Sequence, residues 1–135
     1  MIILDTSACI DYLNGDEDLK IILSDQENLV HITSITIYEV GIGLERTKRK
    51  ISEDMYKELY KKWMEFISSM EIFNLGFKEA ERAAKIYDVL ESTGQRINDN
   101  DILIAGIIIS NGIQRIIIKN IKHFEMIEGI EFIQY

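Results

Sequence analysis

Four polar positions, far apart in a chain of 135 residues, are of types that could share one hard cation: Asp5, Glu39, Asp101 and Asn120. Each lies at, or within a turn or two of, the end of an apolar segment. Asp5 stops the run Ile2-Ile3-Leu4, and Asp101 opens the run Ile102-Leu103-Ile104-Ala105. Glu39 falls in a helical stretch after a β-branched segment, and Asn120 follows Ile116-Ile117-Ile118 closely. Carboxylates gathered without basic neighbours repel one another unless they are protonated or bridged by a cation. Oxygen-only ligation with few protein donors suits Mg²⁺ or Mn²⁺, with water and a substrate phosphate completing the octahedron. An ion so held lowers the pKa of a bound water and neutralises charge on a scissile phosphate. Taken singly, each residue has a simpler role: Asp5 a helix N-cap, Glu39 a solvated helix residue, Asp101 a partner of the helix dipole, Asn120 a turn residue.

Whether the four meet depends on the elements between them. Ile2 to Leu4 reads as a buried central strand, followed by a helix from Thr6 to Leu13 that ends at Asn14-Gly15. Asp16-Glu17-Asp18 starts a second helix carrying Leu19, Ile22 and Leu23 on one side. Leu29 to Thr33 is a second strand. Ser34 is a plausible N-cap for a helix to Arg46, with Ile37, Val40, Gly41 and Leu44 facing inward. Ser52 caps a long helix whose Met55, Leu59, Trp63, Phe66, Ile67 and Met70 recur at helical spacing. Ile72 to Leu75 is a short strand, and from Phe77 the stripe Ala80, Ala83, Ala84, Tyr87, Leu90 gives a helix closed by Gly94. Asp101 to Ser110 is a helix buried on most sides, and Arg115 to Ile118 and Ile130 to Ile133 are the last strands. Alternating strands and helices without hairpin turns imply an α/β fold, a three-layer α/β/α sandwich around a central, mostly parallel sheet. In such a sheet the functional crevice lies outside the carboxyl ends of the strands, which is where these positions fall.

Length and composition fit one domain over residues 1–135 with a sizeable core. The hydrophobic content of 47% argues against disorder. The longest apolar runs fall short of the ~18 residues of a membrane span, and no basic leader with a cleavage site opens the chain, so a cytoplasmic location is expected. The single cysteine, Cys9, excludes an intramolecular disulfide and a Cys-cluster zinc site. His31 and His123 are isolated, which gives zinc no His pair either. A net charge of −8 disfavours non-specific coating of a polyanion but leaves room for an acidic pocket filled with cations. Arg46, Lys48, Arg49, Lys50, Lys57, Lys61 and Lys62 form the main basic concentration. They read first as a solvated face with Glu58 and Lys62 paired at i, i+4, and second as a contact for an RNA backbone.

Four motifs in order resemble those of the PIN-domain nucleases, specifically the VapC-type toxins of prokaryotic toxin–antitoxin systems. Leu4-Asp5-Thr6-Ser7 with Ile10-Asp11-Tyr12-Leu13 is similar to the family's opening motif, and Ser34-Ile35-Thr36-Ile37-Tyr38-Glu39-Val40 to its second. Asn100-Asp101-Ile102-Leu103-Ile104-Ala105 resembles the third, preceded by Gly94-Gln95-Arg96-Ile97, and Lys119-Asn120-Ile121-Lys122-His123-Phe124 the closing one. The resemblance spans essentially the whole chain. It implies a Mg²⁺- or Mn²⁺-dependent endoribonuclease with Asp5, Glu39 and Asp101 as catalytic, metal-binding acids and Asn120 at a fourth, more variable position. Asp99 competes with Asp101, but Asp101 alone has the family's Ile-Ala spacing behind it. Ser7 and Asp11 are supporting residues that orient Asp5 or a water, or else first-turn capping and a local ion pair. The chain departs from the family at its end, where Ile118, Asn120 and His123 stand in place of Thr or Ser, an acid, and Asp or Glu. An amide at Asn120 weakens the case for a second tightly held metal. The resemblance further implies an RNA substrate, a cognate antitoxin and a homodimer. An arginine carried on the antitoxin's apolar helix could close the acidic cleft, the stretches Ile35–Leu44 and Met55–Met70 walling its groove. Three other readings compete. An aspartyl-phosphate phosphatase wants a second acid where Ser7 stands. A receiver domain, suggested by Lys119 after a strand, wants a phosphorylatable Asp that Leu75-Gly76 does not supply. A degenerate PIN domain would bind RNA or protein without cutting.

Overall fold

The computed structural model describes residues 1–26 and 29–135. Its axis is β1 (Ile2–Leu4), a three-residue strand with every residue buried. On one side β1 pairs with β2 (Val30–Thr33), which pairs with β3 (Ile72–Phe73). On the other it pairs with β4 (Arg115–Ile118), which pairs with β5 (Glu131–Gln134). All four pairings are parallel, so among the described residues the sheet has the order β3-β2-β1-β4-β5 and no antiparallel strand. The chain winds outward from β1 in one direction, then crosses back and winds in the other. The reversal falls between β1 and β4, and crevices in open parallel sheets form at the carboxyl ends of strands at such a point.

Alternation along the strands divides the core in two. Ile3, Ile116 and Ile118 face α5 (Phe77–Ser92) and α6 (Asp99–Ser110). Ile2, Leu4, Ile32 and Ile117 face α1 (Thr6–Leu13), α2 (Glu17–Asp25), α3 (Ser34–Lys48) and α4 (Glu53–Ile67), where Cys9, Leu19, Val40, Leu44, Trp63 and Ile67 complete a second core. This is the expected three-layer sandwich. No helix of the described residues is long and apolar enough to cross a membrane.

The differences from the sequence expectation have local causes. The cap of α3 is Thr33 and not Ser34: the Thr33 hydroxyl accepts from the N–H of Thr36 at 3.1 Å, so the helix starts one residue earlier and runs on to Lys48. α6 starts at Asp99, capped by Asn98, whose side chain accepts from the N–H of Asn100 at 2.8 Å. Asp101 is therefore the third residue of the helix instead of the one that opens it. Ser52 caps α4 as expected, through Met55 N–H at 3.2 Å, but Met55 itself is exposed. Glu58 and Lys62 do not pair. Lys57 bonds Glu53 at 3.3 Å, Lys61 lies 3.9 Å from Glu65, and Lys62 donates to the carbonyl of Leu13 at 2.8 Å. β3 stops at Phe73, and β5 is shifted one residue onward from Ile130–Ile133.

α5 is rotated relative to the predicted stripe. It buries Glu79, Ala83 and Leu90, while Ala80, Ala84 and Tyr87 lie outside the core. Gly106 sets this rotation. A Cβ there would stand 2.7 Å from the carbonyl oxygen of Glu79 and 2.8 Å from the Cβ of Ala83, so α5 and α6 touch backbone to backbone. Glu79 returns to the N–H of Gly76 at 3.1 Å and accepts from Asn111 at 3.4 Å, which satisfies a buried carboxylate at the start of α5. Gly94, at φ +71°, turns the chain from α5 toward α6. Gly106→Ala should therefore destabilise the fold by about 1–3 kcal/mol through overpacking. Gly41→Ala, in α3 with nothing within 4 Å of its Cβ, should stabilise by about 0.5–1 kcal/mol through helix propensity. Urea unfolding of the two variants checks the contrast, and equal effects would remove the packing argument.

Candidate active centre

Asp5 is the N-cap residue of α1 in extended backbone, but its side chain caps nothing. Its N–H bonds the carbonyl of Ile117 at 3.0 Å, which fixes it to the reversal between β1 and β4. Ser7, on the first turn of α1, donates its hydroxyl to Asp5 Oδ2 at 2.6 Å and so sets the carboxylate's rotamer. Ser7 therefore touches Asp5 directly.

Glu39 reaches the same crevice from α3. Thr6 donates to its Oε1 at 2.7 Å, and the amide of Asn100 approaches its Oε2 at 3.4 Å. Thr36 and Thr33 back up Thr6 through hydroxyl contacts of 3.3 and 3.2 Å. Asp101, buried on the first turn of α6, meets His123 Nδ1 at 2.9 Å. The crevice is thus built from the ends of β1 and β4, the first turns of α1 and α6 and the second turn of α3.

Burial and charge act on two of the three acids. Burial raises the pKa of Asp5 above the ordinary carboxylate range; the Ser7 hydroxyl works against that shift and Glu39 adds to it. Burial also raises Asp101, His123 opposes the shift, and Asp5 and Glu39 both reinforce it. Among the described residues, no three His, Cys, Asp or Glu side chains are gathered closely enough to cage a metal unaided. The donor set of oxygens on raised, mutually repelling acids fits Mg²⁺ or Mn²⁺.

The remaining expected residues divide. Asn120 is at the rim, but its Oδ1 caps the 3₁₀ turn Ile121–His123 by accepting from Lys122 N–H at 3.1 Å. Asp99 lines a cavity of about 260 Å³ with Tyr87, Arg96 and Ile97, on the α5 side of α6. Asp11 receives Lys119 Nζ at 3.1 Å and the hydroxyl of Tyr135 at 2.9 Å, so it faces the end of β4 and β5. Thr6, Thr36 and Asn100 carry no role in the sequence reading although they stand inside its motifs. Their clue is position alone: a hydroxyl one residue after Asp5, one three residues before Glu39, and an amide just before Asp101. Tyr135 had no local clue at all.

Two raised carboxylates have a cost that pH exposes. A group whose folded pKa lies above its unfolded one adds stability only while protonated, below the unfolded pKa, and loses that contribution as pH rises through the folded pKa. Ionised Asp5 therefore works against the metal-free fold at neutral pH. Asp5→Asn should unfold at higher temperature than wild type at pH 7 in EDTA, and the gap should close as pH falls below about 4. Added Mg²⁺ should raise the wild-type midpoint more than that of the variant. A variant gain independent of pH would show that the effect is not electrostatic.

Residues 2–126 match the model of the PIN domain family. Ribonuclease VapC2 of Rickettsia felis is 27% identical over 130 residues, covering 94% of this chain and 92% of that protein. Among solved structures, DNA-bound VapBC from Salmonella typhimurium superposes with a TM-score of 0.85 at 25% identity, covering 98% of this chain and 96% of that one. VapBC2 of Rickettsia felis, bound to a DNA fragment from its promoter, gives 0.84 at 23% identity over 100% and 99% of the two chains. With the family model spanning nearly the whole chain and the acids of its motifs facing one crevice, this chain belongs to the PIN domain family.

Proposed function

We propose that the chain is a metal-dependent endoribonuclease, the toxin of a toxin–antitoxin pair, which hydrolyses RNA phosphodiester bonds at the Asp5–Glu39–Asp101 crevice. The observation that carries this is the convergence of three acids at the switch point, two with pKa values raised by burial first and then by a neighbouring acid, Glu39 for Asp5 and both Asp5 and Glu39 for Asp101. The similarity to Ribonuclease VapC2 and to VapBC complexes supports the biological setting.

Asp5 and Asp101 are the residues that would hold Mg²⁺ or Mn²⁺, with Glu39 assigned to the same ion by its motif. When bound, such a cation neutralises phosphate charge and makes water a stronger acid. The chain's own groups prepare the rest. Ser7 fixes Asp5, and His123 keeps Asp101 ionisable against its burial. Glu39 is anchored firmly through Oε1, while Oε2 makes only the long contact to Asn100, leaving that oxygen to take a proton from the attacking water. Displacement at phosphorus breaks the bond to the 3′-oxygen, which takes a proton from solvent water, and leaves a 5′-phosphate and a 3′-hydroxyl.

Two partners follow. A groove of about 440 Å³ is lined by Tyr12, Leu23, Val30, Phe66 and Met70, so its walls are α2 and α4. The sequence reading named α3 and α4, and a second hollow does lie along α3 between Ile37 and Arg49. The groove would take the apolar helix of an antitoxin. On the opposite layer Phe77 is 85% exposed beside Ala80, Ala84, Tyr87 and Leu103. This second stripe of α5 is the seam of a homodimer, and Phe77→Glu should yield a monomer in sedimentation velocity.

Asp101→Asn should lower RNA cleavage by about a thousandfold, in the range lost when acid–base machinery is removed, with the circular dichroism spectrum unchanged. Asp99→Asn should cleave as wild type does. Retained activity in the first and loss in the second would transfer the role to Asp99. EDTA should abolish cleavage, Mg²⁺ or Mn²⁺ should restore it, and elemental analysis should find no stoichiometric zinc. A wild-type chain that binds RNA yet never cuts it with Mn²⁺ would be the degenerate form.

A further inference from the structure

β4 ends at Ile118, and its register with β1 pairs Leu4 with Ile117. Ile118 therefore stands beside Asp5, and Lys119 one residue further out, level with the start of α1. This lysine is held from three directions. Its Nζ lies 3.1 Å from Asp11 Oδ2 on α1, and Tyr135 donates its hydroxyl to the same oxygen at 2.9 Å. The Tyr135 ring centre is 5.9 Å from the ammonium, and Gln134 Nε2 donates to the Lys119 carbonyl at 2.9 Å. The Tyr135 hydroxyl stays a donor, because burial and then the neighbouring Asp11 raise its pKa, and it is close enough to Ser7 and Asp5 for both to act on it.

An exposed lysine does not adopt such a frame for stability, since a surface ion pair returns little more than the rotamer freedom it removes. The frame does leave the ammonium usable. Its side chain is 58% exposed, and Asp11 occupies one of its three donors. A polyanion approaching buried carboxylates in a chain of net charge −8 needs a fixed cation at the threshold. We infer that Lys119 is an RNA-binding residue, its ammonium bonding a non-bridging oxygen of a phosphate next to the scissile one. Asp11 and Tyr135 are its positioning residues. The inference rests on the ribonuclease reading and names the group that brings its substrate to the acids.

The test measures binding apart from cleavage. In an Asp101→Asn background with EDTA, anisotropy of a short, labelled, single-stranded RNA of random sequence is followed against salt. Lys119→Gln should weaken binding about tenfold, as expected for loss of a charge-assisted bond, and should make the plot of log K against log salt shallower by about 0.7. Lys119→Arg should restore most of the affinity. Lys85→Gln, the same charge change on the far face of α5, should bind as the background does. In the active chain, Lys119→Gln should raise KM about tenfold and leave kcat within about threefold. Tyr135→Phe should reproduce part of the KM effect. Wild-type affinity and salt slope in Lys119→Gln would overturn the inference, whether its melting point falls or its binding to the antitoxin weakens. An equal loss in Lys85→Gln would overturn it as well. If the unmodified chain neither binds nor cuts RNA, the ribonuclease reading itself fails, an outcome distinct from a cutting enzyme indifferent to Lys119.

Discussion

The structure is arranged around a repulsion. Asp5 and Asp101 are both buried, and both are pushed toward the protonated state by burial first and by neighbouring acids after that. Nothing in a packed core gains from this, and a carboxylate in low dielectric normally finds a cation or loses its charge. The fold instead surrounds each acid with one well-aimed donor: the Ser7 hydroxyl for Asp5, the Thr6 hydroxyl for Glu39, and His123 for Asp101. These bonds fix direction, and only the one from His123 also offsets charge. The elements that deliver them start at the same sheet edge, which is the use the chain makes of the reversal between β1 and β4.

That requirement explains the composition of the neighbouring elements. β1 and β4 are continuous apolar runs because both their faces are covered, which makes them stiff supports for the residues at their ends. α6 is apolar almost throughout, so Asp101 is carried on a helix that cannot rotate without exposing Ile102, Ile104 and Ile107. Gly106 extends the same logic, since the contact of α6 with α5 at that point leaves no slack for α6 to slide. The acids are held by packing on the side away from solvent and by single hydrogen bonds on the side facing it.

The parts legible in the sequence were those governed by burial on two faces. β1 and β4 and the Thr6–Leu13 helix have the bounds expected of them, because a buried apolar run ends where the first polar residue appears. Helix starts were less legible where two capping residues were adjacent. Thr33 and Ser34 are both competent caps, and the choice of Thr33 comes from Thr36 being buried behind Thr6. α5 carries two apolar stripes, and only its partner decides which is inside. Ala80, Ala84 and Tyr87 follow helical spacing as well as Ala83, Ile86 and Leu90 do, but the absent Cβ of Gly106 draws the second set inward. Asp5, Glu39 and Asp101 stood out through position and motif, whereas Asn120 proved to be occupied in capping a turn. Tyr135 was beyond sequence reasoning, because its partner Asp11 is 124 residues away and no spacing rule links them.

The placing of positive charge follows from the same constraint. A cation fixed inside the crevice would relieve Asp5 and Asp101, but it would also take the place of the metal and blunt the acids it neutralised. A cation far away would do nothing to offset the repulsion met by an incoming phosphate, because exposed charges are screened within about 10 Å at ordinary ionic strength. His123 and Lys119 occupy the ground between these limits, one against Asp101 and the other just outside Asp5, and each is tied to a single carboxylate. An acidic chain that must receive a polyanion thus keeps its central field negative for the metal and places its permanent positive charge at the edge.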